Sequence, residues 1–218
     1  MLYKGLDPLT GAIERAGFSD LLKTAMSAED GSPATLALVD IDRFLRINQQ
    51  WGHAAGDAVL KRVAGVLSAM PHAQVIRYGG DEFAVIFPGQ ERERVLMNLE
   101  KARAEIESTE MVEVDGKSLS LSITLSAGAA AFPIDGTNEA ELLRKADGAL
   151  YRAKLGGRNK VMLACEERMA PKTTHFPVTQ LERLTDLARD QGVGEAVLLR
   201  EALDDLLVKY LHGFRREG

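Results

Sequence analysis

The chain has 218 residues, 45% of them apolar and 27% charged, with a net charge of −5. Those values suit a water-soluble globular protein of one or two domains and give no general reason to expect a polyanion partner. No apolar run approaches the ~20 residues that span a bilayer, and Met1-Leu2-Tyr3-Lys4-Gly5 lacks the apolar segment of a signal peptide. The single cysteine, Cys165, cannot form an internal disulfide. A cytoplasmic protein without membrane attachment is expected.

Residues 6–28 open on a turn-rich stretch, Leu6-Asp7-Pro8-Leu9-Thr10-Gly11. An amphipathic helix follows, with Ile13, Phe18, Leu21 and Leu22 on one face. Ala28–Pro33 is a breaker cluster, hence a loop. Thr35-Leu36-Ala37-Leu38-Val39 is a continuous apolar run of strand length, buried on both faces. It ends in Asp40-Ile41-Asp42, whose alternation places the two acids on one side of the strand. A short helix is predicted over 43–50, a glycine-punctuated turn over Trp51–Asp57, and a second helix from Val59 that stops near Pro71.

Val75-Ile76 and Phe83–Phe87 are apolar β-type runs joined by Arg77-Tyr78-Gly79-Gly80-Asp81-Glu82. This reads as a tight hairpin with carboxylates at its tip. Gly79 and Gly80 can take positive φ and carry no Cβ, so a bulky ligand can approach the backbone. A charged amphipathic helix is predicted over 91–107. Residues 112–132 read as β-rich, with a turn at Asp115-Gly116 and one long strand through Leu119, Leu121, Ile123 and Leu125. Leu142–Ala153 mark a helix closed by Gly156-Gly157, and Val161–Leu163 an edge strand. Two hairpins among alternating helices and strands predict an α+β domain with a mostly antiparallel sheet over residues 1–164. Residues 165–172 read as a linker. A second, small module of about 45 residues, too small to bury a core alone, is predicted over 173–218. It has a short extended run at Thr174–Val178 and helices near 180–191 and 194–212.

Two acids at a strand end and two at a neighbouring hairpin tip are the oxygen donors that a divalent cation needs for phosphoryl chemistry. The acids repel one another unless cations neutralise them. Lys154, Arg158 and Lys160 follow the last helix of the domain. They suit either a helix C-terminus or a triphosphate tail.

The first domain resembles the GGDEF family of diguanylate cyclases. The likeness rests on Asp7-Pro8-Leu9-Thr10-Gly11, Asp40-Ile41-Asp42-Arg43-Phe44, Ile47-Asn48, Gly52-His53, Gly56-Asp57, Gly79-Gly80-Asp81-Glu82-Phe83, Ala146-Asp147, Ala153-Lys154 and Gly157-Arg158-Asn159. It implies a palm-like domain of nucleotide-cyclase type, with helices flanking the sheet, that binds GTP with Mg²⁺ or Mn²⁺. Two such domains face each other across a homodimer and condense two GTP into cyclic di-GMP and pyrophosphate for bacterial signalling. By motif position Asp40, Asp81 and the Ile41 carbonyl would hold metal, and Glu82 would assist the metal or help deprotonate the 3′-OH. Asn48 and Asp57 would read guanine. Gly79 and Gly80 would admit the nucleotide, while Lys154, Arg158 and the amides near Phe44 and Leu45 would hold the terminal phosphates.

Two departures stand out. The family's lysine after the phenylalanine is Leu45 here. The adjacent Arg46 is turned by about 100° on a helix, so weakened triphosphate binding is expected, and a GTP-binding domain of low activity is the alternative. The family's inhibitory Arg-x-x-Asp is represented by Met70 and Ala73, which predicts no product inhibition there.

Residues 173–212 resemble a ribbon-helix-helix domain, through Leu181-Glu182-Arg183-Leu184, Leu187-Ala188 and Leu199–Leu203. That family dimerises, and it can bind DNA. Residues 166–218 hold 8 Lys and Arg against 10 Asp and Glu, a net of −2. Glu195 also opens the second helix where a phosphate would arrive. Dimerisation is therefore the leading expectation and a DNA-binding regulator the other. With no sensor domain ahead of residue 6, that dimerisation is expected to be constitutive.

Overall fold

The computed structural model describes residues 5–28, 31–109, 111–114, 116–164 and 173–191, with residues 194–196, 198–199, 202–203 and 206 beyond them. Contacts divide the chain into two units, Met1–Glu166 and Glu167–Gly218.

In the first unit a six-stranded mixed sheet runs in the order β1-β3-β4-β2-β7-β8. Its strands are β1 (Ile13–Glu14), β2 (Ala34–Ile41), β3 (Gln74–Arg77), β4 (Glu82–Pro88), β7 (Leu125–Phe132) and β8 (Lys160–Leu163). The central pairs β3–β4, β4–β2 and β2–β7 are antiparallel, whereas β1–β3 and β7–β8 are parallel. β2 is buried along its whole length, as an uninterrupted apolar run requires when both sheet faces are covered. On one face Leu36, Leu38, Ala84 and Ile86 pack with α1 (Phe18–Met26) and α5 (Glu139–Leu155). On the other, Val39, Phe83, Val85 and Phe87 pack with α3 (His53–Ser68) and α4 (Arg92–Glu107). α2 (Phe44–Trp51) lies against α3.

Several local expectations change. Ile13 does not begin a helix. It pairs with Ile76 in β1, and the helix starts only at Phe18, because the Asp7–Gly11 turn bonds back through Asp7 N–H to the Ala12 carbonyl at 2.7 Å. The turn expected over 51–57 shrinks to Gly52, whose φ of 83° separates α2 from α3. The long strand through Leu119–Leu125 divides. β5 (Met111–Val114) and β6 (Lys117–Ser120) form a separate hairpin, and β7 begins at Leu125. β2 ends at Ile41 and Arg43 turns left-handed (φ 59°) into α2, so residues 121–124 belong to no strand. Leu121 and Ile123 are nonetheless buried; their alternation reports burial, not pairing.

In the second unit α6 spans Val178–Gln191. Glu195, Ala196, Leu198, Leu199, Ala202, Leu203 and Leu206 are helical. The rest of the 194–212 helix, Cys165 and the 165–172 linker lie outside the described residues. Residues 173–177 pair with no strand among the described residues.

Candidate functional site

Strand register decides which acids meet. Asp40 lies opposite Glu82 in the β2–β4 pair, so both side chains leave the same sheet face, ~5 Å apart at Cβ. Ile41 donates its N–H to the Asp81 carbonyl at 3.2 Å, which ties the hairpin loop to the end of β2. Asp40 is buried, Asp81 half-buried and Glu82 exposed. The last turn of α5 delivers Lys154, with Nζ 2.7 Å from Asp40 Oδ2. Burial pushes the Asp40 carboxyl above its ordinary value; Lys154 opposes the shift, and the charges of Asp81 and Glu82 add to it.

A residue quoted in the motif without a role, Arg77, braces the hairpin loop. Its Nε donates to the Gly79 carbonyl at 2.8 Å, and its Nη2 donates to the Gly80 carbonyl. Its remaining nitrogen faces Asp7 at 3.7 Å. Asp7 also accepts from the Thr10 N–H at 2.9 Å and the Thr10 hydroxyl at 2.6 Å. Burial alone would raise the Asp7 carboxyl, but these hydrogen bonds and the Arg77 charge outweigh it and hold the group below its usual range. The Asp7–Gly11 motif thus supports the acidic loop from the neighbouring turn. Neither Gly79 nor Gly80 takes positive φ, contrary to expectation. A Cβ on Gly79 would lie 2.8 Å from Glu82 Oε2, the far end of an exposed side chain that can move aside, and the space at Gly80 is open.

Asp42 keeps to the side of Asp40, reaching Ser126, the β7 partner of Asp40, but has a different role. Its Oδ1 accepts from the Ser126 hydroxyl at 2.8 Å, and its Oδ2 accepts from the Thr124 hydroxyl at 2.8 Å and the Asn159 N–H at 3.0 Å. These bonds fix the start of β7 and the loop after α5, leaving the carboxylate little capacity for a ligand.

On the α3 side of α2, the Asn48 carboxamide sits over Gly56. A Cβ on Gly56 would lie 2.0 Å from Asn48 Oδ1 and 3.1 Å from the Phe44 ring. Gly56 therefore serves packing inside a helix, not a turn. Asn48 Oδ1 is buried and has no hydrogen-bond partner among the described residues. Leaving such an atom unpaired costs about 1–3 kcal/mol, which makes a ligand donor a natural partner. Asp57 follows Gly56, is exposed, and lines a hollow of about 390 Å³ between α3 and the β5–β6 hairpin. Leu45 points to solvent at 67% exposure. Arg158 stands just past α5 in a left-handed conformation, φ 66°.

Among the described residues no three His, Cys, Asp or Glu side chains form a ready-made metal cage. Asp40, Asp81 and the Ile41 carbonyl are nevertheless hard oxygen donors, and Mg²⁺ commonly takes one or two carboxylates with phosphate and water completing the shell. An ammonium already resting on a buried carboxylate with two acids nearby marks a place that favours a cation. The residues fit a divalent ion.

Residues 4–160 match the family model described as diguanylate cyclase, GGDEF domain. The chain is 43% identical over 162 residues to the diguanylate cyclase DgcP of Pseudomonas aeruginosa, covering 72% of this chain and 24% of that protein. It is 35% identical over 164 residues to the diguanylate cyclase DosC of Escherichia coli, covering 73% and 35%. The GGDEF domain of DgcB from Caulobacter crescentus, solved in complex with c-di-GMP, superposes with a TM-score of 0.66 at 38% identity, covering 73% of this chain and 95% of that one. The chain spans about a quarter to a third of the length of these two curated relatives. The Gly79–Phe83 loop braced by Arg77 and the sheet that carries Asp40 both fall within the matched residues, and the chain belongs to the GGDEF family.

Proposed function

We propose that this chain is a diguanylate cyclase: two GTP molecules, bound on two facing copies, condense into cyclic di-GMP. In each half-reaction a 3′-hydroxyl gives up its proton, to Glu82 or to water, and its oxygen attacks the other nucleotide's α-phosphate. The bond from that phosphorus to the oxygen bridging to the β-phosphate breaks, and pyrophosphate leaves. Two pyrophosphates are released per product. The observation that carries this reading is the convergence of Asp40, Asp81 and Glu82 at the end of β2, facing Lys154. The names of the relatives point the same way.

In this reading Asp40, Asp81 and the Ile41 carbonyl hold Mg²⁺ or Mn²⁺, with Glu82 beside them. Bound there, the ions supply positive charge that stabilises the 3′-alkoxide and the phosphates. Asp57 and Asn48 select guanine, because a carboxylate accepts from N1–H and N2–H₂ and adenine offers no such pair. Gly79 and Gly80 keep the loop narrow beside the nucleotide. Arg158, the amides of Phe44 and Leu45, and Lys154 once Asp40 is otherwise engaged, steady the terminal phosphates. Incubation with GTP and Mg²⁺ followed by chromatography should show cyclic di-GMP; bound GTP without product would overturn the activity in favour of a nucleotide-binding domain, the reading that Leu45 favours.

The predicted layout is a cyclase domain over 1–164, a linker over 165–172 and a dimerising module over 173–218. In its support, Leu181, Leu187, Leu199, Leu203 and Leu206 are all exposed in the single chain, and apolar rows of that kind mark association surfaces. A fused dimeriser also raises the effective concentration of the second active site. Leu187→Asp in the full chain should shift it towards monomer in analytical ultracentrifugation and make specific activity fall on dilution. An unchanged dimer would remove the module from this role. A gel shift with genomic fragments tests the DNA-binding alternative.

A further inference from the structure

The face of α2 turned away from Asn48 and Gly56 borders a second hollow. It has a volume of about 530 Å³ and is lined by Arg43 and Arg46, by Ser120, Ser122 and Thr124, and by Arg158 and Asn159. Four other arginines of the domain have carboxylate partners: Arg62 with Glu105 at 2.9 Å, Arg92 with Asp135 at 2.8 Å, Arg103 with Glu100 at 2.7 Å and Arg77 with Asp7 at 3.7 Å. The side chains of Arg43, Arg46 and Arg158 have no ion pair or hydrogen bond among the described residues, their bonds being backbone ones. The acid beside them, Asp42, spends its oxygens on Ser126, Thr124 and Asn159. Three guanidinium groups against one carboxylate already held by neutral donors leave the hollow net positive and suited to an anion.

Backbone strain gathers at the same place. Arg43, Arg158 and Asn159 are three of the four described non-glycine residues with positive φ, and all three line this hollow. Such conformations cost on the order of 1–3 kcal/mol each and persist where surrounding structure enforces them, often at ligand sites. Leu45 does not line the hollow, whereas Arg46 does. The turn of about 100° between neighbours, which seemed to disqualify Arg46, is what aims it here.

We infer that this hollow binds a diphosphate group, with Arg46 and Arg43 joining Arg158 in place of the missing lysine at position 45. Resting on the cyclase reading, the group is the β/γ end of GTP before reaction and free pyrophosphate after it. Planar guanidinium forks bind phosphate oxygens in pairs, and several forks suit two adjacent phosphoryl groups better than one compact anion.

Titration calorimetry of the full chain with inorganic pyrophosphate, GTP, GMP and sulfate separates the cases. Arg46→Ala should weaken pyrophosphate and GTP on the order of tenfold or more, the scale for losing a charged hydrogen-bonded pair. GMP, which lacks the distal phosphates, should be unaffected, and Arg46→Lys should recover part of the loss. Arg46 is exposed, so the variant should fold. Wild-type protein that ignores pyrophosphate, or Arg46→Ala that binds it unchanged, overturns the inference. Sulfate binding as tightly as pyrophosphate overturns the diphosphate assignment. Pyrophosphate binding lost in Arg46→Ala while no form binds GTP would keep the anion site and sink the cyclase reading instead.

Discussion

The acidic corner and the arginine hollow lie at opposite charge extremes of one domain, and they handle charge differently. At the corner, Asp40 is buried and partly neutralised by Lys154. In the hollow, three arginines remain without a described counter-ion. A buried charge must be compensated within the chain, because its desolvation costs several kcal/mol. Charges at an open rim are hydrated and can await a ligand. The charges of the corner are therefore costly to the fold, whereas those of the hollow cost little and its strain lies in the backbone.

Replacing the buried acid should break this contrast with the largest effect. Asp40→Asn should lower cyclase turnover on the order of a hundredfold or more, the scale for losing a key electrostatic group, while leaving the fold intact. The Asp40 carboxyl is raised by burial even against the Lys154 contact. A carboxyl whose folded pKa exceeds its unfolded one disfavours the fold as pH rises through the folded value. Removing the charge should therefore raise Tm at pH 7, and the gain should fade as pH drops to the ordinary aspartate range. A Tm that falls at pH 7 would show Lys154–Asp40 to be a net stabilising pair.

The two acids flanking Ile41 show how far the sequence was legible. Alternation placed Asp40 and Asp42 on one side of a strand, and the apolar run before them located that strand. It did not show that β2 stops at Ile41, nor that Asp42 would be claimed by Thr124, Ser126 and Asn159, which lie 82, 84 and 117 positions away. Hydrogen bonds over such separations leave no local pattern. The same holds for Arg77, whose partners include Asp7 from a distant turn, and for the hollow, assembled from α2, the segment before β7 and the loop after α5. Gly56 was legible as a glycine, but the local reading of glycine is a turn. Its actual reason, the Asn48 carboxamide above it, needs two helices in contact.

Gly56→Ala should give an intermediate effect. The new methyl would sit 2.0 Å from Asn48 Oδ1, so the carboxamide must swing away. Overpacking of this kind costs about 1–3 kcal/mol of stability. The diagnostic readout is base selection: the preference for GTP over ATP should drop about tenfold, the scale for losing one specific hydrogen bond in a polar site, while pyrophosphate binding in the arginine hollow stays unchanged. Equal losses for GTP and pyrophosphate would mean that the two faces of α2 are not independent.

The smallest effect is expected at Leu45. Restoring lysine there adds a cation on an exposed side chain, 67% accessible as leucine, where a mobile surface charge contributes at most about 1 kcal/mol. If Arg43, Arg46 and Arg158 already hold the distal phosphates, Leu45→Lys should tighten GTP by less than about fivefold, the equivalent of that energy. The gain should also disappear at high salt, since exposed charges are screened within about 8 Å at physiological ionic strength. In an Arg46→Ala background the same lysine should matter more, because no neighbouring cation then serves the same phosphates. A large gain in the wild-type background would place the phosphates on the solvent side of α2, away from the hollow, and leave its arginines without this ligand.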